Sequence, residues 1–456
     1  MKKMVRIFAA LLVVLIVIAG VLFARLDQTP YRQTGFYKNE MATIDTISGV
    51  QAGADTFYAG WSRVNLQPPF TTPIAIDAHR GGKHYQGIHD SIYVRAFVFK
   101  CGEQKVAYVS ADLLIIPPAV SCMLDTALKP LGYSNAIIYY TATHTHSSLG
   151  AWQNSWVGEK FAGKFDERVP KHLAACFTEA IRQAEGNCQP AEVGFKEIPT
   201  TKLVFNRLVG DSGKVDSLLR VIRIKQQGGA QAAIVTFAAH ATVYHEKMME
   251  LSGDWPAEMM QLINKDGRIG FVSFSAGAVG SQGPFPYSKD QAEEVNYMAG
   301  NVARLVLDGF DSIPTVPITT LRMVHLPLYL RQPNLRIIGN WVVRPWLFHR
   351  LFGDAPVFVN YLQLGDLTFV GMPCDFSGEL VAEISATATL TNTHFVPTSF
   401  NGGYIGYITC DSWYELNTYE TRTMGWFGPG NGAYLSEIAE RLLKRFHPQA
   451  EQSAAH

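Results

Sequence analysis

Residues 136–148 read AIIYYTATHTHSS, an apolar, β-prone run that leads directly into two histidines, His144 and His146. In a strand, alternate side chains share a face, so a strand continued to its end carries both imidazoles on one side, at a terminus where side chains reach a cleft. A metal site, an acid/base site and a polar strand end all remain open at this point. Comparable runs at 91–100 (SIYVRAFVFK), 106–111, 219–225, 232–239 and 268–274 also predict strands. Helical spacing of Ala174, Ala175, Phe177, Ile181 and Ala184 predicts a helix over 169–185, and further helices are expected over 291–308 and 432–446. Strands and helices interleaved without a repeat predict an α/β fold, a layered mixed α/β domain, and no Gly/Ser-rich or Pro-rich linker divides it.

The N-terminus departs from this pattern. Lys2, Lys3 and Arg6 precede an uncharged run from Ile7 to Ala24, closed by Arg25. That run reaches the roughly 18 residues of a membrane-spanning helix and exceeds the ~7–15-residue apolar core of a signal peptide. No clean small-x-small cleavage site follows, so residues 1–25 are expected to be an uncleaved transmembrane anchor. The basic flank then stays in the cytoplasm and the rest of the chain is extracytoplasmic. A polar connector is expected over 26–53 and the folded unit over 54–456. Residues 334–353, NLRIIGNWVVRPWLFHRLFG, set arginines among aromatic residues, the pattern of an interfacial membrane-contacting element; a buried helix with surface arginines explains it equally.

Lysine plus arginine and aspartate plus glutamate number 39 each, so no global field recruits nucleic acid. The six cysteines form no CxxC pair, which argues against a thiolate zinc site, and their pairing is not deducible from spacing.

A second strand-ending histidine sharpens the first. In VTFAAHATVYHE, His240 follows another apolar strand, so two strand ends present imidazoles. Catalytic zinc commonly takes three protein ligands of imidazole or carboxylate type and leaves one position open. Asp112, Asp254 and Asp375 all lie near apolar strand ends, and the residues alone do not choose among them. His245 beside Glu246 reads as a solvated loop pair.

The segments AGWSRVNLQPP, GIHDSIYVRAFVF, TATHTHSS, FAAHATVYH with LSGDWP, GYIGYITCDSWYE and YETRTMGWFGPGNGAYL together resemble the catalytic domain of the neutral/alkaline non-lysosomal ceramidase family. The resemblance implies Zn2+ held by His144, His240, Tyr407 and an acidic ligand at Asp375, where the family has glutamate. It casts His146 as an active-site histidine that hydrogen-bonds a developing oxyanion or shuttles a proton. The resemblance places the family's active-site serine on Gly283 within Gly280–Pro284, leaving Ser281 as the candidate catalytic hydroxyl, one that substitutes only if the loop shifts. Asp254 is expected to orient His240, as carboxylates do behind zinc-bound imidazoles. Arg207 lies in another recurring stretch, with a purely structural role open to it. The activity implied is zinc-dependent hydrolysis of the amide of an N-acyl sphingoid base or similar lipid amide at a membrane. The alternatives are a zinc esterase or amidase for a non-ceramide substrate, and an inactive membrane-tethered relative.

Overall fold

The computed structural model describes residues 2–54, 56–75, 80, 82–245 and 247–447. Strands Tyr93–Cys101 and Gln104–Ala111 are buried at most positions, as continuous apolar runs must be when both faces of a sheet are covered. They belong to an eight-stranded mixed sheet with the order Phe271–Ala276, Gln231–Phe237, Leu218–Gln226, Gln189–Pro199, Phe57–Asn65, Tyr93–Cys101, Gln104–Ala111, Ile138–Ala142. The outermost pair at each end is parallel. A five-stranded sheet, Val50–Gly53, Thr320–Pro327, Phe358–Leu364, Leu367–Met372, His394–Ser399, lies against its inner face. Phe97, Phe99, Tyr108 and Tyr139 of the large sheet and Leu362, Phe369 and Val396 of the small one share one buried cluster.

The helices are α1 Lys2–Leu22, α2 Gly35–Thr46, α3 Pro118–Ala127, α4 Trp156–Ala162, α5 Arg168–Gly186, α6 Asp254–Asp266, α7 Gln291–Phe310, α8 Pro345–Phe352, α9 Val381–Leu390 and α10 Asn431–Phe446. α3 and α5 cover one half of the large sheet's outer face, α6 and α7 the other half. α2, α9 and α10 cover the small sheet. The result is a helix–sheet–sheet–helix stack, the layered mixed α/β fold expected from the sequence.

The large sheet coils until its two ends meet. Tyr108 and Ser275, from opposite ends of the strand order, share a hydrogen bond of 2.6 Å, and the Ser110 hydroxyl donates to the Phe274 carbonyl. This closure brings together the carboxyl ends of Ile138–Ala142 and Gln231–Phe237, which carry the two histidine segments.

α1 is apolar and long enough to cross a membrane, and none of its residues is buried in the structure. The stretch 26–53, expected to be a polar connector, carries elements that pack on the body. Thr34 caps α2 by accepting from the Tyr37 backbone N–H, Tyr31 and Tyr37 donate to Glu437 on α10, and Val50–Gly53 pairs with Thr320–Pro327. Its aromatic residues give it an apolar side that α10 buries. The strand Phe23–Arg25 pairs with Trp341–Val343 directly after α1. Residues 334–353 form the strands Arg336–Ile338 and Trp341–Val343 followed by α8, which is neither a single buried helix nor a loop. All six cysteines are free thiols.

Candidate metal centre and its cavity

The strand that opens the THTH segment stops at Ala142, and His144 takes a left-handed backbone, φ 64°. For a residue with a side chain this conformation is uncommon and strained. It still brings His144 and His146 to one site, with ring centroids 4.9 Å apart, while Phe400 stacks on His144 at 4.0 Å. His144 and His240 lie 4.7 Å apart, centroid to centroid.

Each ligand-type histidine is oriented by a backbone carbonyl. His144 Nδ1 meets the Leu114 oxygen at 2.6 Å and His240 Nδ1 meets the Gln282 oxygen at 3.0 Å. A carbonyl only accepts, so both protons sit on Nδ1 and both Nε2 atoms carry lone pairs. Those lone pairs converge on Asp375, whose Oδ1 is 3.3 Å from His144 Nε2 and 3.3 Å from His240 Nε2. Asp375 is fully buried, and its Oδ1 finds no hydrogen-bond donor. Its other oxygen accepts from the Tyr404 hydroxyl at 2.8 Å. The Tyr407 hydroxyl is 3.3 Å from His240 Nε2 and accepts from Arg207 Nη2 at 3.0 Å.

Buried acceptors that face one another without a donor are costly unless a cation sits among them. Two imidazoles, a carboxylate and a phenolic oxygen are also the donor types that suit zinc. The residues present therefore fit a divalent metal ion. His144, His146 and His240 have their ligating atoms within 4.8 Å of one another. Burial, then the Arg207 charge, brings His240 down to about 3, so its imidazole is neutral at pH 7. His146 is lowered as well, by burial and by the neighbouring imidazoles. Burial and Asp375 push Tyr407 up, and Arg207 opposes them.

The centre opens on a cavity of about 650 Å³ lined by His144, His146, Arg207 and Tyr407 at one end and by Trp152, Phe161, Phe348, Phe352 and Trp426 elsewhere. This combination of a few convergent polar groups with mostly aromatic walls suits a ligand with a polar reacting group and an apolar body.

Two expected residues stand elsewhere. Asp254 does not orient His240: its carboxylate accepts from the backbone N–H groups of Val243, Tyr244 and Trp255, fixing the loop after His240. The Gln282 carbonyl occupies the orienting position instead. Ser281 is fully buried, and its hydroxyl donates to Glu379. Gly283 sits in the short strand Gln282–Pro284, where a Cβ atom would lie 3.2 Å from the Phe205 ring and 3.9 Å from Arg207 Cδ. Asp112, one of the open carboxylate choices, is paired with Arg95 at 2.8 Å, far from a ligand's role. His245 lines the cavity, whereas Glu246 lies outside the described residues. Tyr404 and Arg207, for which the sequence implies no role at the centre, hydrogen-bond to Asp375 and Tyr407 there. A lone tyrosine three residues before Tyr407 and a lone loop arginine carry no periodic signal; only the motif stretches containing them mark them.

Fold and site together define a class: a layered α/β protein with a buried imidazole–carboxylate–phenol centre at the end of an aromatic cavity. Residues 80–267 match the family model described as neutral/alkaline non-lysosomal ceramidase, N-terminal. Among solved structures, the crystal structure of neutral ceramidase from Pseudomonas aeruginosa superposes with a TM-score of 0.72 at 17% identity, covering 86% of this chain and 74% of that one. A ceramidase complexed with C2 superposes with a TM-score of 0.74 at 16% identity, covering 86% and 76%. No curated protein matches the sequence significantly. The segment 80–267 is thus similar in sequence to the neutral/alkaline non-lysosomal ceramidases, and the fold of the chain is similar to that of the two solved ceramidases.

Proposed function

We propose that the protein is a zinc-dependent hydrolase that cleaves the amide of an N-acyl sphingoid base or a closely similar lipid amide. The observation that carries this reading is the convergence of His144 Nε2, His240 Nε2 and the donorless Asp375 Oδ1 at the end of a cavity with aromatic walls. The family resemblance supplies the substrate class. His144, His240, Asp375 and Tyr407 would hold the ion. Zinc, when bound, supplies Lewis acidity toward a carbonyl and brings the pKa of water toward ~7.

The chain's own groups do the rest. Leu114 and Gln282 carbonyls lock the two ligand imidazoles in the Nδ1–H tautomer. His146 Nε2 lies 3.3 Å from His144 Nε2. Once His144 is engaged as a ligand, the Nε2–H of His146 turns to the cavity and donates to the oxygen of the reacting carbonyl. Arg207, a permanent cation beside the Tyr407 hydroxyl, stabilises negative charge gathering at the same end. The aromatic walls exclude water from the acyl chain and strengthen both interactions.

A second reading is favoured by Gly283. Without a hydroxyl at the family's serine position, the same centre suits an ester or a non-ceramide amide. Full-length protein in detergent, assayed for fatty-acid release from N-acylsphingosine, tests both. Turnover abolished by chelator, restored by zinc and lost in His144→Ala supports the ceramide assignment. Zinc binding with no turnover of N-acylsphingosine refutes it and leaves the second reading, which a panel of lipid esters and amides then decides.

A further inference from the structure

The apolar helix α1 passes into the body without a linker. Phe23–Arg25 pairs with Trp341–Val343, Leu26 N–H donates to the Asn340 carbonyl, and Leu26 is buried. Two side chains of the α8 entry reach back to the last turn of α1: Arg344 Nε donates to the Gly20 carbonyl at 2.9 Å and Trp346 Nε1 to the Val21 carbonyl at 3.2 Å. Arg25 lies over the Trp341 ring at 4.4 Å. The end of the spanning helix is thus fixed to the ribbon and to α8, and the body cannot turn freely about it.

What surrounds this junction is apolar and basic. Ile338 at the ribbon's turn is 72% exposed, beside the exposed Ile337, Trp341 and Trp346. No acidic residue occurs from Asn334 to Gly353, where Arg344 and Arg350 are exposed, whereas Arg336 is buried and paired with Glu415 at 2.8 Å. The same helix that exposes Trp346 turns Phe348 and Phe352 into the catalytic cavity. Across the cavity α4 repeats the arrangement, with Val157, Gly158 and Phe161 lining it and Trp156 exposed at 61%. Gln153 Nε2 donates to the Phe352 carbonyl, tying the two walls.

We infer that the ribbon, the exposed side of α8 and Trp156 of α4 form a docking surface for the phospholipid bilayer in which α1 is anchored, seating the cavity entrance at headgroup depth so that a lipid amide reaches the metal centre without crossing water. Tryptophans at headgroup level, arginines toward phosphates and an apolar turn below them are the distribution that an interface selects. The continuity with α1 designates the bilayer, rather than a protein, as the occupant. The inference rests on the lipid-amide reading for its purpose, although the surface itself is tested separately.

Full-length protein is reconstituted in phosphatidylcholine–phosphatidylglycerol vesicles whose acyl chains are brominated close to the headgroup, and tryptophan fluorescence is read. Quenching is expected, and more than half of it is lost in the variant Trp156→Phe/Trp341→Phe/Trp346→Phe. Quenching that is absent, or unchanged in that variant, overturns the surface and leaves it to another cover such as a second copy. In parallel, Ile337→Ser/Ile338→Ser is expected to lower turnover of vesicle-embedded N-acylsphingosine about tenfold while leaving turnover of a water-soluble short-chain amide unchanged. An equal fall on both substrates, or none on the embedded one, refutes the delivery role. Should the wild type turn over neither substrate, the function reading fails while the quenching result still decides the surface.

Discussion

Replacing Asp375 by asparagine tests the centre with a change of charge and almost none of shape. Asp375 Oδ1 stands 3.3 Å from each imidazole Nε2. At that distance a unit positive charge is attracted by about 5 kcal/mol for an effective dielectric near 20. Loss of that attraction corresponds to about three to four decades in affinity for a cation. The effect on the metal-free fold has the opposite sign. Without an ion, the wild-type carboxylate faces two lone pairs, whereas the introduced side-chain amide would offer one N–H to each and still accept from the Tyr404 hydroxyl. At about 1 kcal/mol per hydrogen bond, the metal-free variant gains up to ~2 kcal/mol.

The assay measures two quantities on wild type and Asp375→Asn: zinc retained in competition with a chelator of known affinity, and the melting temperature with and without zinc. The expected outcome is zinc affinity down by about 10³-fold or more, no zinc-induced rise in melting temperature, and a metal-free melting temperature equal to or above wild type. A variant that keeps its zinc, or whose metal-free form is several kcal/mol less stable, would refute the argument that these acceptors are arranged for a cation and would make Asp375 a structural carboxylate.

Two other substitutions separate neighbouring roles. Ser281→Ala should leave chelator-sensitive turnover within about twofold and cost about 1 kcal/mol of stability, because the hydroxyl is committed to Glu379 and lines no part of the cavity; turnover reduced a hundredfold in steady-state assays would restore Ser281 to the chemistry. Glu40 on α2 is fully buried, accepts from the Tyr329 N–H and the Tyr434 hydroxyl, and is pushed by burial from 4.5 to about 7. Its folded pKa lies above its unfolded one, so the stability it contributes is fully present below pH 4.5 and is lost as pH rises to about 7, a change of about 3 kcal/mol. Glu40→Gln should remove that part of the pH dependence, and denaturation profiles of variant and wild type that run parallel from about pH 4.5 to 8 would contradict it.

The strands and helices that the sequence discloses are those with an uninterrupted physical signal. The run expected at 219–225 is the strand Leu218–Gln226, an uninterrupted β-prone apolar run, and the helix expected at 169–185 is α5, Arg168–Gly186, which repeats apolar residues at helical spacing. His144 and His240 are legible at strand ends, Asp375 and Tyr407 only through the family resemblance, and the structure brings all four together. What the motifs do not encode is which neighbour holds each side chain in place. The partners of His144 and His240 are backbone carbonyls of Leu114 and Gln282, and any residue there presents the same oxygen. Asp254 misleads for that reason: a carboxylate near a strand end suits a histidine partner and a set of loop N–H groups equally well, and only the path of the chain decides. The stretch 26–53 misleads through composition, since its charged residues are spread widely while Tyr31, Phe36 and Tyr37 gather on α10.

The aspartate at 375 shows how backbone placement makes up for side-chain length. It is one methylene shorter than the glutamate that the family resemblance implies, so its carboxylate reaches two imidazoles only if the chain itself comes near. Asp375–Phe376 pairs in parallel with Tyr407–Ile408, which sets the carboxylate and phenolic residues side by side. On the other side the loop after Phe271–Ala276 closes on the same peptide: Gly280 N–H donates to the Phe376 carbonyl at 2.8 Å, and a Cβ at Gly280 would stand 2.4 Å from the Asp375 carbonyl oxygen. No side chain fits there, so a glycine at 280 is a condition for this approach. The same loop continues through Ser281, held by Glu379, to Gln282, whose carbonyl orients His240. One stretch of backbone, 280–282, therefore makes room for the Asp375 peptide and fixes His240. The shorter carboxylate and the buried Ser281 belong to one arrangement whose common product is the pair of 3.3 Å separations at the centre.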